Sequence, residues 1–97
     1  MAGLNHYKLD IEIIRALSDE TRIEILEIIG KKEMNVSEIV EKCRLSRPAI
    51  SHHLQILKRA KILDSNKDGK EIYYSVNFNT IRSLSQALLG FINTGSF

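Results

Sequence analysis

The sequence predicts a mainly α fold with one small β-hairpin, in the order helix, helix, helix, helix, hairpin, helix. Three observations carry that reading. Residues 45–62, LSRPAISHHLQILKRAKI, combine a helix start with an apolar stripe and an opposite face free of carboxylates. After Ile62 the apolar period changes from helical to strand-like on either side of an Asp68-Gly69 pair, a tight-turn signal. Charge is unevenly placed. Residues 1–41 carry five Lys/Arg against nine Asp/Glu, residues 42–70 carry eight against two, and residues 71–97 carry one of each. The middle of the chain is therefore strongly basic although the net charge is only +2. Such a block fits a polyanion; the alternative is a charge run that only keeps a surface solvated.

With 97 residues the chain has the length of one small domain. A hydrophobic fraction of 43% with 27% charged residues is ordinary for a globular protein. No apolar run approaches the roughly 18 residues of a membrane span, so no membrane partner is expected. Asp10 and Glu12 interrupt any signal-peptide core near the N-terminus, and the single cysteine fits a reducing cytoplasm without an internal disulfide.

The first helix is expected from about Asn5 to Leu17. Leu4, Tyr7, Ile11 and Ile14 recur at helical spacing, and Leu9, Ile13 and Leu17 widen the stripe. Ser18 is read as the cap of a second helix, with Asp19 and Glu20 in the first turn, where the helix dipole favours negative charge. Ile25, Leu26 and Ile29 form its core face, and Gly30 stops it. Asn35 and Glu38 make a capping box for a short third helix with Val36, Ile39, Val40 and Cys43 inward. Three residues later Ser46 caps the fourth helix, and Pro48 lies just inside its start, where a missing N–H costs nothing. Two short helices so closely joined form a helix-turn-helix. The strands are placed at 62–65 and 71–76, with Asp68-Gly69 supplying positive φ in the loop 66–70. Asn77 or Asn79 caps a last helix, about 79–92, striped by Ile81, Leu84, Leu88 and Phe91.

In the fourth helix Ile50, Leu54 and Leu57 form the inward stripe, with Ala60 three residues on. The outer face carries Ser46, Arg47, Pro48, Ser51, His52, Gln55, Lys58 and Arg59. Short polar side chains suit base edges in a major groove and cations suit phosphates, so double-stranded DNA is the expected partner. Lys67 and Lys70, on the hairpin, would reach the flanking backbone or minor groove. Arg47, in the first turn, fits either bidentate contact with guanine, worth about 1–3 kcal/mol of discrimination, or a phosphate contact. The terminal helices carry more apolar surface than a thin domain needs. Either they pair two copies through Leu4, Tyr7, Ile11, Ile81, Leu84, Leu88 and Phe91, the favoured reading, or they pack on each other within one chain.

The phrases ALSDETRIEIL (16–26), NVSEIVEKCRLSRPAISHHLQILKRAKIL (35–63) and GKEIYYSVN (69–77) resemble the winged helix-turn-helix repressors of the ArsR/SmtB family over nearly the whole chain. The resemblance implies a homodimeric transcriptional regulator, usually a repressor, that leaves its operator on a signal. It also implies base readout at Arg47, Ser51 and His52, wing contacts at Lys67 and Lys70, and dimerisation through the first and last helices. Three departures stand out. Where many members have a metal-sensing Cys-Val-Cys phrase, this chain has Asn35-Val36-Ser37. From 78 to 97 it has no His, Asp, Glu or Cys, so neither family metal site can be built, and no metal or cofactor is expected. Arg44 and Lys61 stand where the family often has glycine at helix ends; a left-handed cap there costs about 1 kcal/mol.

Cys43 is read as an inward structural thiol. His52 is assigned to DNA, while His53, about 100° round the helix, is expected to pack on the second helix or a polar neighbour. One of Tyr73 and Tyr74 faces the core and the other does not. The chain lacks a phosphate loop, a nucleophile elbow and a metal constellation, so an enzyme is not expected. A winged-helix module that docks a protein instead of DNA is the alternative function. The inducing signal is left open between a small molecule, a protein antagonist and no signal at all.

Overall fold

The computed structural model describes residues 9–93. Its elements run α1 (Ile11–Leu17), α2 (Glu20–Ile29), β1 (Met34–Asn35), α3 (Val36–Lys42), α4 (Arg47–Arg59), β2 (Leu63–Asp68), β3 (Glu71–Val76) and α5 (Phe78–Asn93). The mainly helical winged arrangement expected from the sequence is present. One element is additional. Met34 and Asn35 pair antiparallel with Tyr74 and Tyr73, so the hairpin becomes a three-stranded sheet in the order β1-β3-β2.

Boundaries follow the caps. Among the described residues the first helix starts at Ile11, because Asp10 is extended and its carboxylate accepts from the N–H of Ile13 at 3.2 Å. Asp gains more at a cap than inside a helix, where its side chain competes for backbone N–H groups. Leu4, Asn5 and Tyr7 lie outside the described residues. Ser18 does not cap α2. It closes α1, donating its N–H to the Arg15 carbonyl and its hydroxyl to that of Ile14, and Asp19 is the cap, accepting from the Arg22 N–H at 3.1 Å. Gly30 ends α2 with φ 55°, and the Asn35–Glu38 capping box forms in both directions.

The hairpin is tighter than its sequence suggested. Asp68 is in register with Glu71, leaving Gly69-Lys70 as a two-residue turn, and only Gly69 has positive φ, as a type II′ turn requires. Asn77 caps α5, accepting from the N–H groups of Asn79 and Thr80. Of the two former glycine candidates, Lys61 has φ 63° and Arg44 does not have positive φ.

The core draws on every layer. Ile25 and Ile29 of α2, Ile39 of α3, and Ile50, Leu54 and Leu57 of α4 are completely buried with Ile62; Leu63, Met34 and Tyr74 close it from the sheet side. Tyr74 is thus the inward tyrosine and Tyr73 is half-buried. Each buried aliphatic side chain contributes about 1.5–3 kcal/mol, so α4 is pinned along its length. From α1, Ile13 and Ala16 enter the core while Ile11 stays exposed. α5 packs on the core through the partly buried Ile81 and Leu84, and Gly90 is buried further along, while Leu88, Leu89 and Ile92 are exposed.

Candidate nucleic-acid interface

Burial of Ile50, Leu54 and Leu57 turns the other side of α4 outward. Ser46, Arg47, Pro48, His52, Gln55, Lys58 and Arg59 are exposed on that side, and Ser51 is half-buried. Ser46 holds the helix start, its hydroxyl accepting from the Ala49 N–H at 3.3 Å. The first turn has no acidic residue and the last has Lys58 and Arg59.

Arg47 reaches back across the turn, and its Nη1 donates to the Ser37 hydroxyl of α3 at 2.9 Å. That contact was not legible in the sequence, since either side chain alone reads as a solvated polar residue. Its effect is to hold an exposed guanidinium at the entrance of the helix-turn-helix. Ser37 and Asn35, which occupy the family's thiolate positions, are thereby engaged with Arg47 and in the capping box. Among the described residues no three of His, Cys, Asp and Glu converge to hold a metal ion.

The two adjacent histidines diverge as expected. His52 is exposed with the outer face, whereas His53 is half-buried and its Nδ1 lies 3.2 Å from Arg22 Nη1 on α2. Arg22 also donates through Nε to the Ala16 carbonyl at 2.6 Å and through Nη2 to the Arg15 carbonyl at 3.2 Å. Asp19 lies 3.8 Å from the same guanidinium. Its carboxyl pKa is lowered, first by the Arg22 backbone N–H, with burial opposing and the Arg22 charge then adding to the lowering.

Lys67 and Lys70 are exposed on the wing, and the in-register pair Asp68 and Glu71 sits with them at the tip. The tip therefore carries four charges of alternating sign, because the tight turn brings Glu71 into it. Cys43 caps the C-terminal end of α3, partly buried against the core; desolvation, and then the Glu24 charge, push its thiol pKa up. A thiol so placed is disfavoured as a nucleophile.

A short α3, a tight turn, an α4 pinned on one side and polar on the other, and an adjoining hairpin define a winged helix-turn-helix. Residues 19–65 match the family profile described as "Bacterial regulatory protein, arsR family". The chain is 39% identical over 83 residues to the transcriptional repressor SdpR of Bacillus subtilis (strain 168), covering 86% of this chain and 92% of that protein. It is 31% identical over 90 residues to the arsenical resistance operon repressor of Staphylococcus aureus, covering 93% and 86% respectively. Among solved structures it is similar to an ArsR-like transcriptional regulator from Rhodococcus sp. RHA1, with a TM-score of 0.71 at 30% identity over 98% of this chain and 81% of that one. The chain belongs to the ArsR family, and is a transcriptional regulator and not an enzyme.

Proposed function

We propose that two copies of this chain assemble through α1 and α5 and act as a repressor on an imperfect palindromic DNA operator. The observation that carries the proposal is the outer face of α4, carboxylate-free and cationic towards its end, on a helix whose other side is fully buried. Arg47, Ser51, His52 and Gln55 are assigned to base edges, and Ser46, Lys58, Lys67 and Lys70 to the sugar–phosphate backbone, with Pro48 setting the helix entry. Repression is inferred from the two relatives, each of which is a repressor.

The dimer reading is supported by α1 and α5. Ile11 is 54% exposed, Leu89 58% and Ile92 59%, while the described side chains of α5 packed against the core are Ile81 and Leu84. An apolar strip of this kind is expected to be covered. Ile11, Ile81, Leu84, Leu88 and Phe91 fall on the two helices; Leu4 and Tyr7, assigned to the same interface, lie outside the described residues. In such a dimer the two copies of α4 enter successive major grooves about 34 Å apart.

The signal in this reading is not a metal. Asn35, Val36 and Ser37 offer no thiolate, and α5 has no His, Asp, Glu or Cys. A small molecule or a protein is the effector class that these residues leave.

The test is selection of random duplex DNA on the purified protein at two salt concentrations, with sedimentation to count copies. The expected result is a palindromic consensus with half-sites one helical turn apart. Its affinity should fall with a log–log salt slope of about 0.9 per neutralised phosphate and stay unchanged on adding zinc. No enrichment at low salt overturns the DNA assignment and leaves α1 and α5 as a docking surface for another protein.

A further inference from the structure

Arg22 and His53 lie outside the DNA-facing set, yet they join the three helices on which that set depends. The Arg22 side chain is only 13% exposed, and its guanidinium meets the last carbonyls of α1, the cap of α2 and the ring of His53 on α4. Those α1 carbonyls belong to the terminal group that lacks partners within its own helix. His53 immediately follows His52, so the contact on its ring adds a directional restraint to a helix whose buried stripe already sets its outward face, and bears on the directions of Ser51, His52 and Gln55.

The chemistry of the contact is one-sided. A guanidinium only donates, so Nδ1 of His53 must accept, which puts the proton of the neutral ring on Nε2. In a protonated ring both nitrogens donate, and the contact becomes one cation facing another. The other charged or titratable groups nearby are Asp19 on α2, Glu12 and Arg15 on α1, and His52 and Arg59 on α4. Asp19 attracts an imidazolium, but it already caps α2 and faces Arg22.

We propose that the Arg22–His53 pair is the positioning device of the DNA-reading helix, and that protonation of His53 releases α4 and weakens DNA binding. This rests on the DNA-binding function proposed above. It places a proton-sensitive joint between α1 and α4, so that a change in the seating of α1 would reach the DNA face through Arg22. His53 acts here as a positioning residue, not a DNA contact.

The experiment measures dissociation constants for the selected duplex from pH 8 to 5.5 at fixed salt, for the wild type, His53→Asn and Arg22→Gln. Asn retains an acceptor near the Nδ1 position but does not protonate; Gln at 22 removes the opposing cation. Groups not in contact with residues 22 and 53 are common to all three proteins and cancel in the variant-to-wild-type ratio, and Asp19, which both residues influence, has a lowered pKa and stays ionised over this range. The His53→Asn ratio should be near one at pH 8 and fall by up to about ten-fold at pH 5.5, as the competent fraction of wild type shrinks. Arg22→Gln, folded by its melting curve at both pH values, should show the same downward trend from its own pH 8 ratio. Ratios constant with pH for both variants, with wild-type binding intact, overturn the positioning role alone. Failure of the wild type to bind any duplex at any pH overturns the proposed function and this role with it.

Discussion

Replacing Lys61 with glycine should stabilise the protein, although it removes a side chain and loosens the unfolded chain. Lys61 has φ 63°, the only positive φ among the described non-glycine residues, and it makes the turn from α4 into the sheet. A residue with a Cβ pays about 1–2 kcal/mol in that region. Glycine escapes that cost but loses roughly 0.5–1 kcal/mol through its greater freedom when unfolded. The local bonds are made by the backbone and survive the change: the N–H donates to the Lys58 carbonyl at 2.9 Å, and the carbonyl accepts from the Thr80 hydroxyl at 2.7 Å. The net is a gain of about 0–1.5 kcal/mol, centred near 0.75, or roughly 3–6 °C in melting temperature at that centre for a domain of this size. Urea unfolding at one fixed protein concentration reads it, with Lys61→Ala alongside. Alanine keeps the Cβ and should show no gain. An equal gain in both variants, or a loss in Lys61→Gly, would refute the strain argument. The same pair tests what lysine contributes: if it meets a phosphate, both variants lose about 0.9 from the salt slope of DNA binding.

Three further outcomes are expected. Asn35→Ala removes the acceptor half of the α3 capping box and should cost about 1 kcal/mol by urea unfolding, with the slope of the transition unchanged. Asp19 has a lowered native pKa, so the stability it contributes is fully present above its unfolded value near 4 and is lost as pH falls through the lower native value. Asp19→Asn, which keeps a capping oxygen, should flatten that part of the acid limb in urea midpoints taken from pH 6 downwards. Cys43 has a raised pKa, so its alkylation rate should rise with pH over a higher range than that of a free thiol in the unfolded protein. A profile matching the unfolded chain would show that the partly buried site does not shield it.

The elements that could be read residue by residue were those with a local signal. Ser46, the Asn35–Glu38 box and Asn77 each cap the helix assigned to them, since a cap is settled within four residues. Ser18 and Asp19 are both good caps in succession, and the choice between them turns on neighbours. Ser18 is drawn into the end of α1 and Asp19 faces Arg22. At the first helix, apolar spacing continued through Asp10 and outvoted a cap signal that the structure obeys. β1 has no local signal, being two residues made a strand by Tyr73 and Tyr74 far along the chain. The hairpin turn moved because register, not the Asp-Gly dipeptide, decides which residues are central.

The candidate site divides along the same line. Helical periodicity separates the outer face of α4 from its buried stripe, so the exposed set was legible. Of the contacts that orient it, the seating of His53 on the second helix was legible, but Arg22 as its partner and Ser37 as the partner of Arg47 were not, because each lies on another helix. One signal did exist. His53 falls on the flank of an apolar stripe, and a half-buried polar group calls for a partner. Burial of the Ile50, Leu54 and Leu57 stripe sets which side of α4 faces the core, but apolar packing is non-directional and leaves the finer placement of the outward side chains to other contacts. Hydrogen bonds are directional, and the two found here act near the start and the middle of the helix. Reading bases demands side-chain placement within hydrogen-bonding tolerance. The apolar stripe therefore accounts for which face of α4 is outward, and in the proposed reading the polar contacts from α2 and α3 refine how that face is presented.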